Sequence, residues 1–212
     1  MKTVYFVRHG QSEANVAPEF QGPDSPLSDK GIEQAHMVAD RATRIEFDTL
    51  ISSPYSRARS TAEIIAKATG KEPEFSELFV ERIKPEGING KPYTDETAAK
   101  IWREWEASLH TPGLRIADGE NFEDLLVRAD AALSHLEERP EERLLVVTHG
   151  YFLRTVIARV LLKETLTAEC FRSIQRSAHV ENTGITVIRQ ESWFESENEW
   201  KLNTYNDHAH LG

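Results

Sequence analysis

Two short apolar runs, Val4-Tyr5-Phe6-Val7 and Leu144-Leu145-Val146-Val147, end alike, in Arg8-His9-Gly10 and in Thr148-His149-Gly150. An unbroken β-prone run suits a strand buried on both faces, which is the situation inside a parallel sheet covered by helices. Further β-rich runs lie at 50–52, 185–188 and, more weakly, 200–205. Helical stripes fall between most of them. Phe122, Leu125, Leu126, Ala129, Leu133 and Leu136 form one, and Ile32, Ala35, Ala39 and Ala42 form another behind Ser28 as N-cap, while the segment 152–162 reads as a largely buried helix. The alternation predicts an α/β fold: a three-layer α/β/α sandwich about a mainly parallel sheet. Ligands of such sheets bind beyond the carboxyl ends of the strands, so His9 and His149 are expected to converge there.

At 212 residues the chain suits a single domain, 1–212. The rhythm breaks between Arg82 and Asp118, where Pro85, Gly87, Gly90 and Pro92 precede a helix-like stretch with Trp102 and Trp105, and Pro112-Gly113 follows; we read 82–118 as an inserted lobe that sets substrate specificity. A net charge of -10 repels nucleic acid and anionic lipid, so neither a nucleic-acid nor a membrane partner is expected, and any anion site must be a local cationic pocket. The single cysteine, Cys170, allows no internal disulfide and no multi-cysteine metal centre. The apolar run near Met1 is too short for a signal peptide and no stretch is long enough to span a bilayer, so a soluble cytoplasmic protein is expected.

The surroundings of the two histidines carry a pattern. It runs Arg8-His9-Gly10-Gln11-Ser12-Glu13-Ala14-Asn15, then Gln21-Gly22-Pro23 through Leu27-Ser28-Asp29-Lys30-Gly31, then Ser52-Ser53-Pro54-Tyr55-Ser56-Arg57-Ala58-Arg59, then Gly119-Glu120-Asn121-Phe122, and closes at Thr148-His149-Gly150. In this order the landmarks resemble the histidine phosphatase superfamily, the phosphoglycerate mutase-like group, over most of the chain. The resemblance implies the phosphoglycerate mutase-like fold and a metal-independent phosphatase acting on a small phosphorylated substrate, with no cofactor and no metal site.

It also implies roles that can be set against physical need. Phosphoryl transfer spreads charge over three oxygens and calls for fixed donors and an in-line nucleophile. His9 would be the nucleophile, forming a phosphohistidine, and Arg8, Arg57 and His149 would hold the phosphoryl oxygens, His149 as imidazolium while phosphate is bound. Asn15, Gln21, Gly22 and Gly150 would add substrate contacts. Arg59 lies two residues from Arg57, so the two point apart on a helix, and the family pattern favours Arg57. A carboxylic acid with a raised pKa is expected to protonate the leaving oxygen; His149-Gly150-Tyr151 offers none, whereas Glu81 matches the position used by one branch, with Glu77 and Glu86 as competitors. The run after Glu81 departs from the family's usual glycine-tryptophan-glutamate-glycine.

Other readings fit the residues less well. A phosphoglycerate mutase would return the phosphoryl group to a substrate hydroxyl, but its tyrosine-glycine and leucine-glutamine-glycine stretches are not seen, and the cations of the lobe stand among acids and Pro-Gly breaks that suit a partly open lid. A non-catalytic phospho-ligand-binding protein would need neither a nucleophile nor an acid. A metallohydrolase lacks ligand-spaced clusters, and His208 and His210 beside Asp207 read as a frayed polar tail. Trp102 and Trp105 at helical spacing read as packing for the lobe.

Overall fold

The first apolar run becomes β1 (Thr3–Arg8), and its side chains alternate between two cores: Val4 and Phe6 pack into one, Tyr5 and Val7 into the other. The same alternation holds for β4 (Arg143–Thr148), where Leu144 and Val146 share the core of Val4, and Leu145 and Val147 that of Val7. With β2 (Thr49–Ser52), β3 (Pro73–Phe75), β5 (Ile185–Glu191) and β6 (Glu199–Asp207) they form one sheet, in the order β3-β2-β4-β1-β5-β6. The first four in that order are parallel, and β5 and β6 join antiparallel at one edge. This computed structural model describes residues 1–191 and 198–212.

Helices cover both faces. α1 (Glu13–Val16) is a single turn; α2 (Asp29–Ala42) and α3 (Ser56–Thr69) close one core, and α5 (Phe122–Glu138) and α6 (Gly150–Leu162) close the other, with α7 (Ala168–Ser177) beside α6. α2 begins where Ser28 accepts a bond from the Gly31 N–H, the cap expected from the sequence. Three elements, α1, β3 and α7, have no counterpart in the sequence reading. β3 is three residues long and opens on a proline, tolerable only at a sheet edge, and α7 is absent from that reading although Thr167 caps it and Ala168, Phe171 and Ile174 recur three apart along one face. No helix among the described residues is long and apolar enough to cross a membrane.

Segment 82–118 contains α4 (Glu96–Ala107) and packs on the loop after α1. Main-chain bonds tie Phe20 to Lys91 and Gly90, and Ile88, Ala98 and Trp102 gather about Phe20 as a small separate core. The C-terminal tail corrects one expectation. It is docked: Asp207 pairs with Arg41 and His210 Nε2 lies 3.1 Å from Thr183 Oγ1, so Asp207 and His210 are spent on holding the chain end.

The turn after β1 is held by a close backbone approach. A Cβ on Gly31 would fall 1.9 Å from the Gln11 carbonyl oxygen, and one on Gly10 would fall 2.4 Å from that of Gly31. Gly31→Ala is expected to destabilise the fold by about 3 kcal/mol, the scale of overpacking against rigid neighbours. At about 2–4 °C per kcal/mol for a chain of this size, calorimetry should show Tm lower by roughly 6–12 °C. Gly87→Ala, where nothing lies within 4 Å, serves as the control and should leave Tm nearly unchanged.

Candidate active site

The β1–β4 register sets Arg8 opposite Thr148, and the His9 N–H continues the ladder onto the Thr148 carbonyl at 2.9 Å. His9 and His149 therefore leave adjacent strand ends side by side. Their ring centroids are 5.0 Å apart, and both residues are buried, 2% and 0% exposed. β2 adds a third strand end, since the Ser53 N–H donates to the Val147 carbonyl and brings the Ser53 hydroxyl to 2.8 Å from His149 Nε2.

His9 Nδ1 lies 2.6 Å from the Gly10 carbonyl, which can only accept, so Nδ1 carries the proton and Nε2 presents a lone pair. Arg57 Nε donates to that Nε2 at 3.2 Å. Burial first, then the charges of Arg57 and Arg8, hold the His9 pKa well below the ordinary histidine value, so the ring is neutral. Asn182 donates to the His9 carbonyl at 2.9 Å and fixes the main chain from the side of β5.

Arg57 enters from the first turn of α3, 2% exposed, with Nη1 donating to the Gly22 carbonyl at 3.0 Å. Burial lowers its pKa to about 10, and Glu81 opposes that shift. Arg59 takes another direction, its guanidinium 3.7 Å from the Phe75 ring centre, so the helix separates the two arginines as expected. The His149 pKa is also held well below the ordinary value, by burial first and then by Arg57. Arg8 Nε and His149 Nδ1 are buried without a hydrogen-bond partner among the described residues. A Cβ on Gly150 would stand 3.1 Å from Arg8 Nε, so this glycine gives the guanidinium its room.

Glu81 lies against the start of α6, where its carboxylate accepts from the N–H groups of Tyr151 at 3.2 Å and Phe152 at 2.9 Å, and also from Arg82 N–H at 3.0 Å. Glu77 and Glu86 are exposed. Asn15, Gln21, Glu81, Lys84, Trp102 and Tyr151 are among the residues lining a cleft of about 350 Å³. Asn15 and Gln21 are bonded to each other and to Ser12 at its rim, while Gly22 contributes its carbonyl to Arg57. Trp105 is 2% exposed and packs in the lobe, and Trp102 packs on Phe20 while also facing the cleft.

Sequence reasoning missed several members. Ser53 stood unassigned within the Ser-Ser-Pro run. Lys84 reaches the cleft, its ammonium donating to the Gln21 carbonyl and its pKa lowered to about 8 by burial first and then by Arg57. Arg128 pairs with Glu120 at 2.7 Å and donates to the carbonyls of Leu78, Val80 and Glu81, which shapes the segment that presents Glu81. Glu120 lay in the quoted Gly-Glu-Asn-Phe run, but no local signal connects it to Arg128. Among the described residues no group of three or more His, Cys, Asp or Glu is placed to hold a metal ion.

One end of the sheet thus gathers a neutral imidazole whose Nε2 is unprotonated and accepts from Arg57, the buried guanidinium of Arg57 and the half-buried one of Arg8, a second buried imidazole and a carboxylate. Such a set can take a tetrahedral dianion, offer it donors and present an in-line nitrogen. The whole chain is similar to known proteins. A probable phosphoglycerate mutase, GpmB, of Photorhabdus laumondii subsp. laumondii is 34% identical over 219 residues, covering 100% of this chain and 95% of that one. Bacillus stearothermophilus YhfR superposes with a TM-score of 0.80 at 26% identity, over 100% of both chains. A phosphoserine phosphatase from Entamoeba histolytica, solved as a mutant with phosphoserine, gives 0.77 at 25% identity, again over 100% of both chains. The model of the histidine phosphatase superfamily (branch 1) matches residues 4–208, and the chain belongs to that superfamily.

Proposed function

We propose that the protein is a phosphomonoester hydrolase in which His9 Nε2 attacks phosphorus and forms a phosphohistidine that water then cleaves. The observation that carries this reading is the His9 ring itself: buried, neutral and locked by Gly10 into the tautomer with an unprotonated Nε2, which accepts from the Arg57 Nε–H that a bound phosphoryl oxygen would take over. In the first step the Nε2–P bond forms as the P–O bond to the leaving group breaks. Arg8, Arg57 and His149 hold the three equatorial oxygens, and a bound dianion favours the protonated form of His149. Glu81 supplies the proton to the leaving oxygen and in the second step takes one from the attacking water. Side chains supply all the positive charge these steps require, so the reaction needs no metal ion.

A mutase reading is favoured by the names of the curated relatives, probable phosphoglycerate mutases. The lobe weighs against it. A mutase must hold the second anionic group of a small substrate close to His9. Yet Arg82 is 3% exposed, stacked 3.5 Å from the Trp105 ring centre and paired with Glu106, while Arg115 pairs with Asp124. Of the lobe's cations only Arg82 and Lys84 line the cleft, which favours transfer to water.

Three outcomes are expected. His9→Ala should abolish turnover while keeping the wild-type circular dichroism spectrum, and alkaline denaturation of wild type during turnover of labelled substrate should trap phosphate on His9 Nε2. An active His9→Ala protein, or a loss of activity on chelation that added metal restores, would contradict the mechanism. Glu81→Gln should lower kcat by about 10²–10⁴-fold on alkyl phosphates, the usual scale of general acid catalysis, and far less on p-nitrophenyl phosphate, whose leaving group departs unprotonated. Equal losses on both would remove Glu81 from this role. With 3-phosphoglycerate and a trace of 2,3-bisphosphoglycerate, free phosphate should appear at least as fast as the 2-isomer; isomerisation faster by orders of magnitude would establish the mutase.

A further inference from the structure

A second cleft, of about 480 Å³, lies between α4, α6 and α7, and its lining is cationic in a chain of net charge -10. Arg103 comes from α4, Arg154 from α6, and Arg172 and Arg176 from α7. Six arginines elsewhere, Arg41, Arg44, Arg115, Arg139, Arg143 and Arg159, each pair with a carboxylate, and Arg59 and Arg189, which have no carboxylate partner among the described residues, lie apart from one another on α3 and β5. Those of the cleft stand together without such a partner. Arg103, Arg172 and Arg176 make no hydrogen bond or ion pair among the described residues, and Arg154 donates to the neutral Gln175 Oε1. The one carboxylate in the lining, Glu106, is bound by Arg82 at 2.6 Å, so its charge is already taken up.

Gathering these charges opposes folding. Arg172 and Arg176 stand four apart on α7, where like charges repel across one helical turn, and neighbouring helices add two more guanidinium groups. Their field reaches His110, whose pKa is lowered by burial first and then by Arg172. It also reaches the catalytic end of the sheet, because Arg154 is among the charges that act on Arg8. Tyr151 and Glu106 line both this cleft and the one beside Glu81, so the two are separated by the thickness of a side chain.

We infer that this arginine cleft binds a second anionic group, carboxylate or phosphate, at the far end of a substrate whose phosphomonoester lies at His9. The inference rests on the hydrolase reading above. Planar guanidinium forks match the oxygens of either group, and occupation by an anion relieves the repulsion within the cleft. Because Tyr151 and Glu106 stand between the clefts, the substrate must extend beyond a compact phosphorylated acid to reach it.

The test uses ω-carboxyalkyl phosphates of increasing chain length and their ω-hydroxyalkyl counterparts, titrated calorimetrically into the non-reacting His9→Ala protein. At one chain length the carboxylate should bind at least tenfold more tightly than the alcohol. Addition of Arg172→Ala and Arg176→Ala should bring that preference close to unity, and lysine at both positions should restore part of it. The same ratio should appear in wild-type kcat/KM. A preference absent at every length, or unchanged in the double variant, overturns the subsite and leaves the hydrolase reading standing. Failure of both probes to bind overturns the phosphoester site and the subsite with it. Inorganic phosphate that binds with a second stoichiometry, lost in the double variant yet not competing with the carboxylate probe, would make the cleft a separate anion site and overturn the inference.

Discussion

The site depends on the parallel pairing of β1 with β4 in the register that sets Arg8 opposite Thr148. A slip of one residue would move His9 away from His149 and exchange every side chain of one strand between the two faces. Neither face tolerates that exchange, because Val4, Phe6, Leu144 and Val146 fill one core while Val7, Leu145 and Val147 fill the other. The alignment of the two imidazoles is therefore inherited from apolar packing several residues below them. β2 is pinned to the same register through Ser52 opposite Val147, and this carries Ser53 to His149.

Burial then sets the chemistry. Desolvation lowers the pKa of both kinds of residue that meet here, with different outcomes: it keeps the imidazoles uncharged, while the guanidinium groups, with a far higher intrinsic pKa, stay charged even when lowered to about 10 as at Arg57. The result is a neutral nitrogen beside fixed cations, a pairing that could not be held among freely solvated side chains. Arg57 donates both to His9 Nε2 and to the Gly22 carbonyl, which keeps its fork pointing at the position an anion would take. With -10 overall, the remainder of the surface gives no general attraction for anions, so selectivity falls to these local contacts.

What the sequence disclosed follows the range of each interaction. The strands carrying His9 and His149, the capped start of α2 and the apolar stripe of α5 were legible because each is a local pattern with a period. The gathering of Arg8, His9, Arg57, Glu81 and His149 was legible through ordered motifs and the rule placing ligands at strand ends. β3 escaped because three residues show no period, whereas α7 was legible in its Thr167 cap and its narrow Ala168, Phe171 and Ile174 face and was not read. Ser53, Lys84, Glu120 and Arg128 escaped as functional positions for a different reason: their partners lie on other elements, Ser53 facing His149 from 96 positions away and Lys84 reaching the Gln21 carbonyl from 63. Such contacts leave no trace in spacing.

The pair Glu120–Arg128 explains how one lobe can serve two needs. Its carboxylate takes the Arg128 fork and the Ile83 N–H, and Arg128 in turn holds the carbonyls leading into Glu81. The Glu120 carbonyl accepts from the Arg82 guanidinium and from Trp105 Nε1, which anchors the lobe. The segment that carries Glu81 and the segment 82–118 thus hang from one residue, the carboxylate of Glu120 serving both and its carbonyl the second. Side chains farther out on α4, such as Trp102 and Arg103, can then vary in size and charge without disturbing the bonds that place Glu81 at the start of α6. On the proposed mechanism, the reacting groups are fixed near the sheet while the outer helices are free to differ, which would let one mechanism serve different substrates.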